Sequence, residues 1–427
     1  MDRAIQPFGG SMLHRRLAVA LLCFGVLAVG FGVPRPAAAG MATTGLPPVD
    51  MTVWNATVEA ARGQTLFLHA WAGSPKINAY WEWVAATVRE RYGIELRHVK
   101  INDIAQTVSR VLTEKTAGRA DGGSVDLVLL NGESFATMKA NGLLYGPFTT
   151  RLPNMRLVDT RGKPTLVDFT VPVDGMEAPF SVTQFVMVYD TLALPVPPRS
   201  VGGLLEWAKA NPGRMTYPEP PNFLGIAFLK QVLMAQQSDW TSLMQPATNE
   251  NEGLVTEPLW AFLDQLHPLL WREGKEFPTT GINLRRLLND GEISLSMAFN
   301  PLEAASSIES GLLPSSARVY TFEEGTIGNA SFLAIPFNAS AKEAAQVVIN
   351  FLLSPEAQAR KQDPRIWGAD TVLAWKKLTP AEKNLFRAIP QHPAAPQPDE
   401  LARPLPEPHP SWIDRLEKGW HRRYAAG

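Results

Sequence analysis

The side chains best suited to chemistry in this sequence are aromatic, amide and carboxyl groups placed where predicted strands end. A first apolar run ends in Trp71 and is followed by Ser74. A second run ends just before Asn131 and Glu133. Ligands bind parallel α/β sheets at the carboxyl ends of the strands. Because these groups stack on a bound molecule or hydrogen-bond to it, the chemistry that they indicate is binding.

Each of these four residues also has a structural interpretation, which the sequence leaves open. Trp71 either stacks on a planar or cationic ligand, worth about 0.5–2 kcal/mol for a cation, or packs beneath a loop. Ser74 either contacts the ligand or caps the following helix. Asn131 lines a cleft or forms a turn, and Glu133 contacts the ligand or acts as a favourable acid at a helix N-terminus.

Motifs for bond-making chemistry are absent from the sequence. There is no G-x-S-x-G nucleophile elbow, no H-E-x-x-H zinc motif and no P-loop. The histidines are scattered without metal-ligand spacing, so no catalytic residue, metal site or cofactor is predicted. An exported hydrolase with two carboxylates about 5–10 Å apart remains the enzymatic alternative.

The charge balance argues against a nucleic-acid partner. The 427 residues include 40 Lys and Arg against 41 Asp and Glu, for a net charge of −1. A nucleic-acid binder normally carries a basic excess or stripe. A chain of this length is expected to form two lobes or domains with large cores.

Residues 1–39 are predicted to be a secretory signal peptide. Arg15 and Arg16 precede an apolar run, and small residues ending at Ala39 follow it. The alternative is a permanent membrane anchor. The single cysteine, Cys23, lies within the apolar run, so the exported protein would have no disulfide and no thiolate metal site. We expect a periplasmic protein.

Strand and helix patterns alternate from residue 64 onward, with short connections between them. This order is typical of an α/β fold in which helices cover both faces of a mostly parallel sheet. The pattern restarts near residue 180, which indicates a second sheet. No period of 20–50 residues repeats, so a solenoid is not expected.

Several segments share the order and spacing of one protein family. They are VDLVLLNGESF (125–135), ANGLLYGPF (140–148), FSVTQFVMVYD (180–190), GEISLSMAFNP (291–301) and NFLLSPEAQAR (350–360). They resemble the extracytoplasmic solute-binding proteins of ABC transporters, also called periplasmic binding proteins, of the two-hinge class. The WAGSP loop and the long Pro-rich C-terminus resemble the YnjB-like branch, which is described as a thiamine-uptake component.

The resemblance implies a two-lobed periplasmic-binding-protein fold with two hinge strands, within 180–190 and 331–336. Lobe I is then expected at 50–178 plus 334–427 and lobe II at 183–328. Within lobe I, residues 390–424 are predicted to be a Pro-rich wrap followed by a docked terminal helix, and the alternative is a disordered tail.

The second lobe contributes four further candidate ligand contacts. Tyr217, Asn222 and Phe223 surround the turn before a strongly apolar helix, and Tyr217 is expected to stack on the solute. Asn300 occupies a position where the resemblance implies a ligand contact. The alternatives are a rigid Pro-rich turn for the first three and an ordinary turn starter for Asn300.

The resemblance implies a monomer that captures a small organic solute and delivers it to an ABC permease in the inner membrane. The aromatic residues, together with Glu133, Glu219 and Glu303, suit a cationic solute such as a thiamine-like molecule. None of the candidates is an arginine, so an oxyanion is not expected. The non-enzymatic alternative is an envelope protein with a vestigial cleft.

Overall fold

The computed structural model describes residues 48–72, 74–396, 400–402 and 404–425. The predicted signal peptide lies outside these residues. Within them, no helix combines the length and the apolar character needed to cross a membrane.

The strands, numbered along the chain, are β1 (Thr65–Trp71), β2 (Glu95–Ile101), β3 (Leu127–Leu130), β4 (Val167–Asp168), β5 (Val171–Pro172), β6 (Glu177–Gln184), β7 (Val186–Asp190), β8 (Leu295–Ala298), β9 (Ala317–Tyr320), β10 (Thr326–Ala334) and β11 (Pro404–Leu405).

The helices are α1 (Met51–Ala61), α2 (Pro75–Tyr92), α3 (Ala105–Thr116), α4 (Glu133–Ala140), α5 (Val201–Ala210), α6 (Phe223–Ala235), α7 (Glu252–Leu266), α8 (Gly281–Asn289), α9 (Glu303–Glu309), α10 (Lys342–Leu352), α11 (Pro355–Gln362), α12 (Pro380–Arg387) and α13 (Ser411–Trp420).

The large sheet has the strand order β11-β10-β3-β1-β2, and β6 pairs with β10. Strand β1 runs parallel to β2 and β3, whereas β10 runs antiparallel to β3 and β6. Helices α1, α2 and α10 pack with residues such as Leu66 and Leu68 on one face. Helices α3 and α4 pack with Val128 and Phe332 on the other. The large sheet thus has the predicted α/β arrangement, with helices on both faces.

The small sheet has the order β8-β7-β9, and both of its strand pairs are antiparallel. The sequence predicts a mostly parallel sheet here. The difference arises because β7 continues directly from β6 through the single residue Phe185 and so enters the small sheet from the side of the large sheet. The central strand β7 therefore runs antiparallel to both of its neighbours. One parallel bridge joins Met215 to Leu295. Helices α5 to α9 cover this sheet and form the small-sheet core.

The described chain passes three times between the large-sheet cores and the small-sheet core. The first passage leads from β6 to β7. The second is β10, whose Ile327 packs in the small-sheet core and whose Phe332 packs against the large sheet. The third follows α12, between Phe386 beside the large sheet and Ala394 in the small-sheet core. The first crossing lies within the predicted 180–190. The second lies earlier than the predicted 331–336, because β10 passes from Ile327 in the small-sheet core to Ala330 beside the large sheet. A third connection accompanies them.

The predicted place of the C-terminal segment on lobe I is wrong, because α13 packs in the small-sheet core. Trp412, Leu416 and Trp420 recur every four residues and are buried there as one helix face. The indole nitrogen of Trp412 donates to the carbonyl oxygen of Gln245 at 3.1 Å. The physical reason lies in α6, which is apolar nearly all round and must therefore be covered on every side. Helix α13 supplies part of that cover.

We expect Trp412→Ala to destabilise the protein by about 3–5 kcal/mol, because truncating a buried indole leaves a cavity in a packed core. The matched control is Trp375→Ala. Because Trp375 is 47% exposed, this substitution should lower the free energy of unfolding by about 1 kcal/mol or less. Urea unfolding of both variants measures the difference. Equal losses would mean that α13 contributes no more than a surface residue.

Candidate functional site

A cavity of about 1210 Å³ lies between the strand ends of the large sheet and those of the small sheet. The large sheet contributes Trp71, Leu130 and Asn131 at the ends of β1 and β3. The small sheet contributes Phe299 and Asn300, which follow β8. The cavity therefore lies at the carboxyl ends of the strands, where α/β sheets bind ligands.

Five of the eight predicted site residues line this cavity, namely Trp71, Asn131, Asn222, Phe223 and Asn300. The rings of Trp71 and Phe223 are 45% and 47% exposed, although residues of this size are usually covered in a folded protein. Trp71 ends β1 of the large sheet, whereas Phe223 begins α6 on the small-sheet side. They give the cavity two uncovered aromatic surfaces on which a planar or cationic group can stack.

Local capping explains the positions of the two asparagines. The side-chain oxygen of Asn222 accepts from the backbone nitrogen of Leu224 at 3.0 Å and so starts α6 at the cavity wall. The side-chain oxygen of Asn300 accepts from the backbone nitrogen of Leu302 at 3.0 Å. Its amide nitrogen donates across the cavity rim to the carbonyl oxygen of Gly368 at 2.9 Å. Asn300 is therefore a turn residue that also lines the cavity, and its contact with a ligand stays a prediction.

Tyr217 does not line the cavity, which corrects the prediction that it stacks on the solute. Its side chain is fully buried in the small-sheet core. The hydroxyl lies 2.7 Å from Nε2 of His267 and accepts from the indole nitrogen of Trp420 at 2.8 Å. Residues of an extended segment alternate in direction, and Tyr217 points toward the covering helices.

Ser74 and Glu133 also lie outside the cavity wall. Ser74 precedes α2 at its N-cap position but makes no side-chain capping bond. Glu133 is exposed in the first turn of α4. Its pKa is raised, first by partial burial and then by the nearby carboxylates of Asp414 and Glu417 on α13. Glu133 therefore faces the terminal helix, as a helix-end acid.

The charged lining residues of the cavity are Asp103, Glu219, Arg285 and Glu303. Arg285 was not predicted, and it corrects the expectation of a cavity without arginine. Its guanidinium pairs with the carboxylate of Glu303 and donates to the hydroxyl of Ser307 at 3.3 Å. Arg285 lies on the amphipathic helix α8, and a sequence pattern alone does not show which of its polar residues faces a cavity.

Glu219 has a different environment from the other acids. Asp103 accepts from the backbone nitrogen of Ala105 at 2.8 Å, and Glu303 is paired with Arg285. The carboxylate of Glu219 has neither a hydrogen bond nor an ion pair within the described part of the chain, and it is half-buried in the cavity wall. It is the carboxylate that a ligand can engage without displacing a protein partner.

The two halves of the structure also touch along one rim of the cavity. The ammonium of Lys76, at the start of α2, donates to the carbonyl oxygens of Ser306 on α9 and of Pro364, both at 3.1 Å. Partial burial lowers the pKa of Lys76. Together with the bond from Asn300 to Gly368, this contact joins the small-sheet side to the large-sheet side.

Two carboxyl groups are buried in the large-sheet half, and one of them, Asp168, holds a turn of the cavity wall. Asp168 accepts from the backbone nitrogen of Gly132 at 2.7 Å and so holds the turn that presents Asn131. Burial raises the pKa of Asp168 to about 8, although the Gly132 bond opposes the shift and Glu407 adds to it. Burial also raises the pKa of Glu177, whose two oxygens have no partner among the described residues.

We expect stability to fall as the pH rises from about 5 to about 8, because native Asp168 then holds a proton that the unfolded chain has released. Asp168→Asn keeps a neutral acceptor for Gly132. The slope of stability against pH should be smaller in this variant than in the parent. Near pH 8 the unfolding temperature of the variant should exceed that of the parent by at least about 1–3 °C.

The control for this experiment is Asp174→Asn, since the Asp174 side chain is 61% exposed. Calorimetry of the three proteins across the pH range measures the slope. The same slope in the parent and in Asp168→Asn would contradict a protonated Asp168.

Comparison with known proteins identifies relatives of this chain. Residues 83–363 match the family model described as bacterial extracellular solute-binding protein. Protein YnjB of Escherichia coli (strain K12) is 43% identical over 371 residues, which cover 87% of this chain and 94% of that protein.

Solved structures share the fold at low sequence identity. The periplasmic binding protein AfuA of Actinobacillus pleuropneumoniae, with fructose-6-phosphate bound, matches with a TM-score of 0.59 and 15% identity, over 85% of this chain and 99% of that chain. The TpPotD lipoprotein of Treponema pallidum matches with a TM-score of 0.60 and 14% identity, over 84% and 98% of the two chains. These matches confirm the periplasmic-binding-protein fold.

Proposed function

This chain belongs to the family of bacterial extracellular solute-binding proteins, and we propose that it captures a small cationic organic solute, such as a thiamine-like molecule, in the cavity between its two sheets. The family consists of solute-binding components of ABC transporters, which are not enzymes. The hydrolase alternative therefore loses its support. The chain is a solute-binding component of an ABC transporter.

The observation that carries the cationic proposal is the carboxylate of Glu219, which has no partner among the described residues. Arg285 and Glu303 neutralise each other, so the lining retains negative charge from Glu219 and Asp103. A buried or half-buried carboxylate favours an opposite charge beside it. The exposed aromatic rings of Trp71 and Phe223 add surfaces that attract cations.

Solute capture would use the three passages as a hinge. The structure supports dividing the protein into a large-sheet lobe, about 50–178 plus 334–388, and a small-sheet lobe, about 183–328 plus 394–425. The lobes would close around the solute by hinge motion. The closed, monomeric protein would deliver the solute in the periplasm to a permease in the inner membrane.

A thermal-shift screen of the exported protein tests the ligand class. Thiamine and polyamines should raise the unfolding temperature, whereas neutral sugars, amino acids and organophosphonates should not. A ligand that binds the native state stabilises by about 2.7 kcal/mol at one hundred times its Kd. Chemical change of the bound ligand over time would contradict a pure binding function.

Glu219→Gln should weaken the best cationic ligand about 10- to 100-fold, because a hydrogen bond to a charged group contributes roughly 1.5–3 kcal/mol. Glu133→Gln is the matched control, since Glu133 lies outside the cavity, and it should leave the affinity unchanged. Isothermal titration calorimetry measures both. Unchanged affinity in Glu219→Gln would refute the cationic contact while leaving solute binding itself intact.

A further inference from the structure

The C-terminal strap, which we define as residues 404–410, lies against the strands that join the two halves. It begins with β11, which pairs in parallel with β10 at Thr326 and Ile327, where β10 enters the small-sheet core. It ends at α13, which is docked in that core. We propose that this strap is a third hinge element, which limits how far the two halves separate when no solute is bound.

A buried ion pair anchors the strap. The ammonium of Lys230 on α6 lies 2.5 Å from the carboxylate of Glu407, and the two side chains are only 2% and 1% exposed. The second carboxylate oxygen of Glu407 accepts from the side-chain nitrogen of Asn329 on β10 at 2.7 Å. Glu407 therefore links α6 to a crossing strand through charge-assisted hydrogen bonds.

Hydrogen bonds just before the strap reach the other crossing strand. The side-chain nitrogen of Gln184, the last residue of β6, donates to the carbonyl oxygen of Ala402 at 2.9 Å and to the hydroxyl of Thr326 at 3.0 Å. The backbone nitrogen of Ala402 donates to the hydroxyl of Thr321 at 2.7 Å. Each of the two crossing strands is thus hydrogen-bonded to the C-terminal segment.

Separation of the two halves would strain these hydrogen bonds and the ion pair between Lys230 and Glu407. Opening changes the path of β10 relative to α6, and α6 begins at the cavity wall with Asn222 and Phe223. Such a change would pull Glu407 away from Lys230 or from Asn329. Leaving a buried charge without its partner is strongly unfavourable, whereas an exposed pair would be lost at little cost. The strap therefore opposes separation of the two halves. It does so because breaking a buried ion pair costs much more free energy than breaking an exposed one.

Distance measurement between two spin labels in solute-free protein tests this inference independently of the ligand. Cys23 is the only cysteine and lies in the predicted signal peptide, so the exported protein accepts labels at introduced cysteines alone. Suitable positions are Glu59→Cys on α1 and Glu206→Cys on α5, whose side chains are each 71% exposed. Pulsed electron paramagnetic resonance then reports the distance between the two halves.

In the otherwise unchanged protein we expect one narrow distance distribution. Glu407→Gln removes the counter-charge of Lys230, and it should broaden the distribution toward longer distances. Hydrogen exchange of the β10 amides near Asn329 should accelerate by about 10-fold or more, because local opening exposes them more often. A parent-like distribution and parent-like exchange in this variant would overturn the proposal.

The matched control is Glu252→Gln, which weakens a different tie of the C-terminal region. Glu252 pairs with Arg415 on α13 at 2.7 Å but touches neither crossing strand in the described contacts. The Glu252→Gln variant should keep the parent's distance distribution, even if it lowers the stability of the protein. Equal broadening in Glu252→Gln and Glu407→Gln would show a general loss of packing and would overturn the hinge role.

A double variant covers the case in which Glu407→Gln does not fold. Lys230→Met combined with Glu407→Met replaces the buried pair by apolar groups, which proteins often accept without loss of stability. It also removes the bond to Asn329, so we expect a folded protein with longer inter-label distances. A folded double variant with the parent's distance distribution would also refute the role of the strap.

Discussion

The antiparallel pairing of β6 with β10 is the interaction on which the rest of the structure depends. It extends from the pair Glu177 and Ala334 to the pair Gln184 and Gly328, with a shift of register at Ser331. Because both strands continue into the small-sheet core, this one ladder sets the relation between the two halves. The cavity lies beside it: Ser331 lines the cavity, and its hydroxyl lies 2.7 Å from that of Ser181 on β6.

Polar groups are buried around this ladder, and their hydrogen bonds constrain its geometry more tightly than apolar packing would. Gln358 donates to the backbone of Phe180 on β6 at 3.0 Å. Lys361 donates to the carbonyl oxygen of Asp370 at 2.8 Å, and burial lowers its pKa to about 7. A hydrogen bond to a buried group has few acceptable geometries, and breaking it costs the full desolvation of that group. The surroundings of the ladder are thus built from contacts that favour a few discrete arrangements.

The sequence predicts the strand ends well because period-2 alternation and buried apolar runs are strong local signals. Trp71 ends β1, Asn131 follows β3, and both line the cavity as expected. The direction of a side chain is harder to predict. Tyr217 lies on a segment with a single isolated β-bridge. No alternating strand pattern therefore indicates on which side of the segment Tyr217 lies. The spacing of Trp412 and Trp420 predicts a docked helix. It does not identify the docking surface, since that surface is formed by residues far away in the sequence.

The proposed preference of the cavity for a cation is consistent with how its helix N-termini are already satisfied. Helix N-termini attract anions, and several of them face this cavity. Side chains of the protein occupy these positions, however: Asp103 accepts at α3, Asn222 at α6 and Thr280 at α8, while Glu303 lies in the first turn of α9. An anionic solute would have to compete with these groups for the same N–H donors. A cationic solute would instead meet Glu219, whose carboxylate has no partner among the residues that the structure describes.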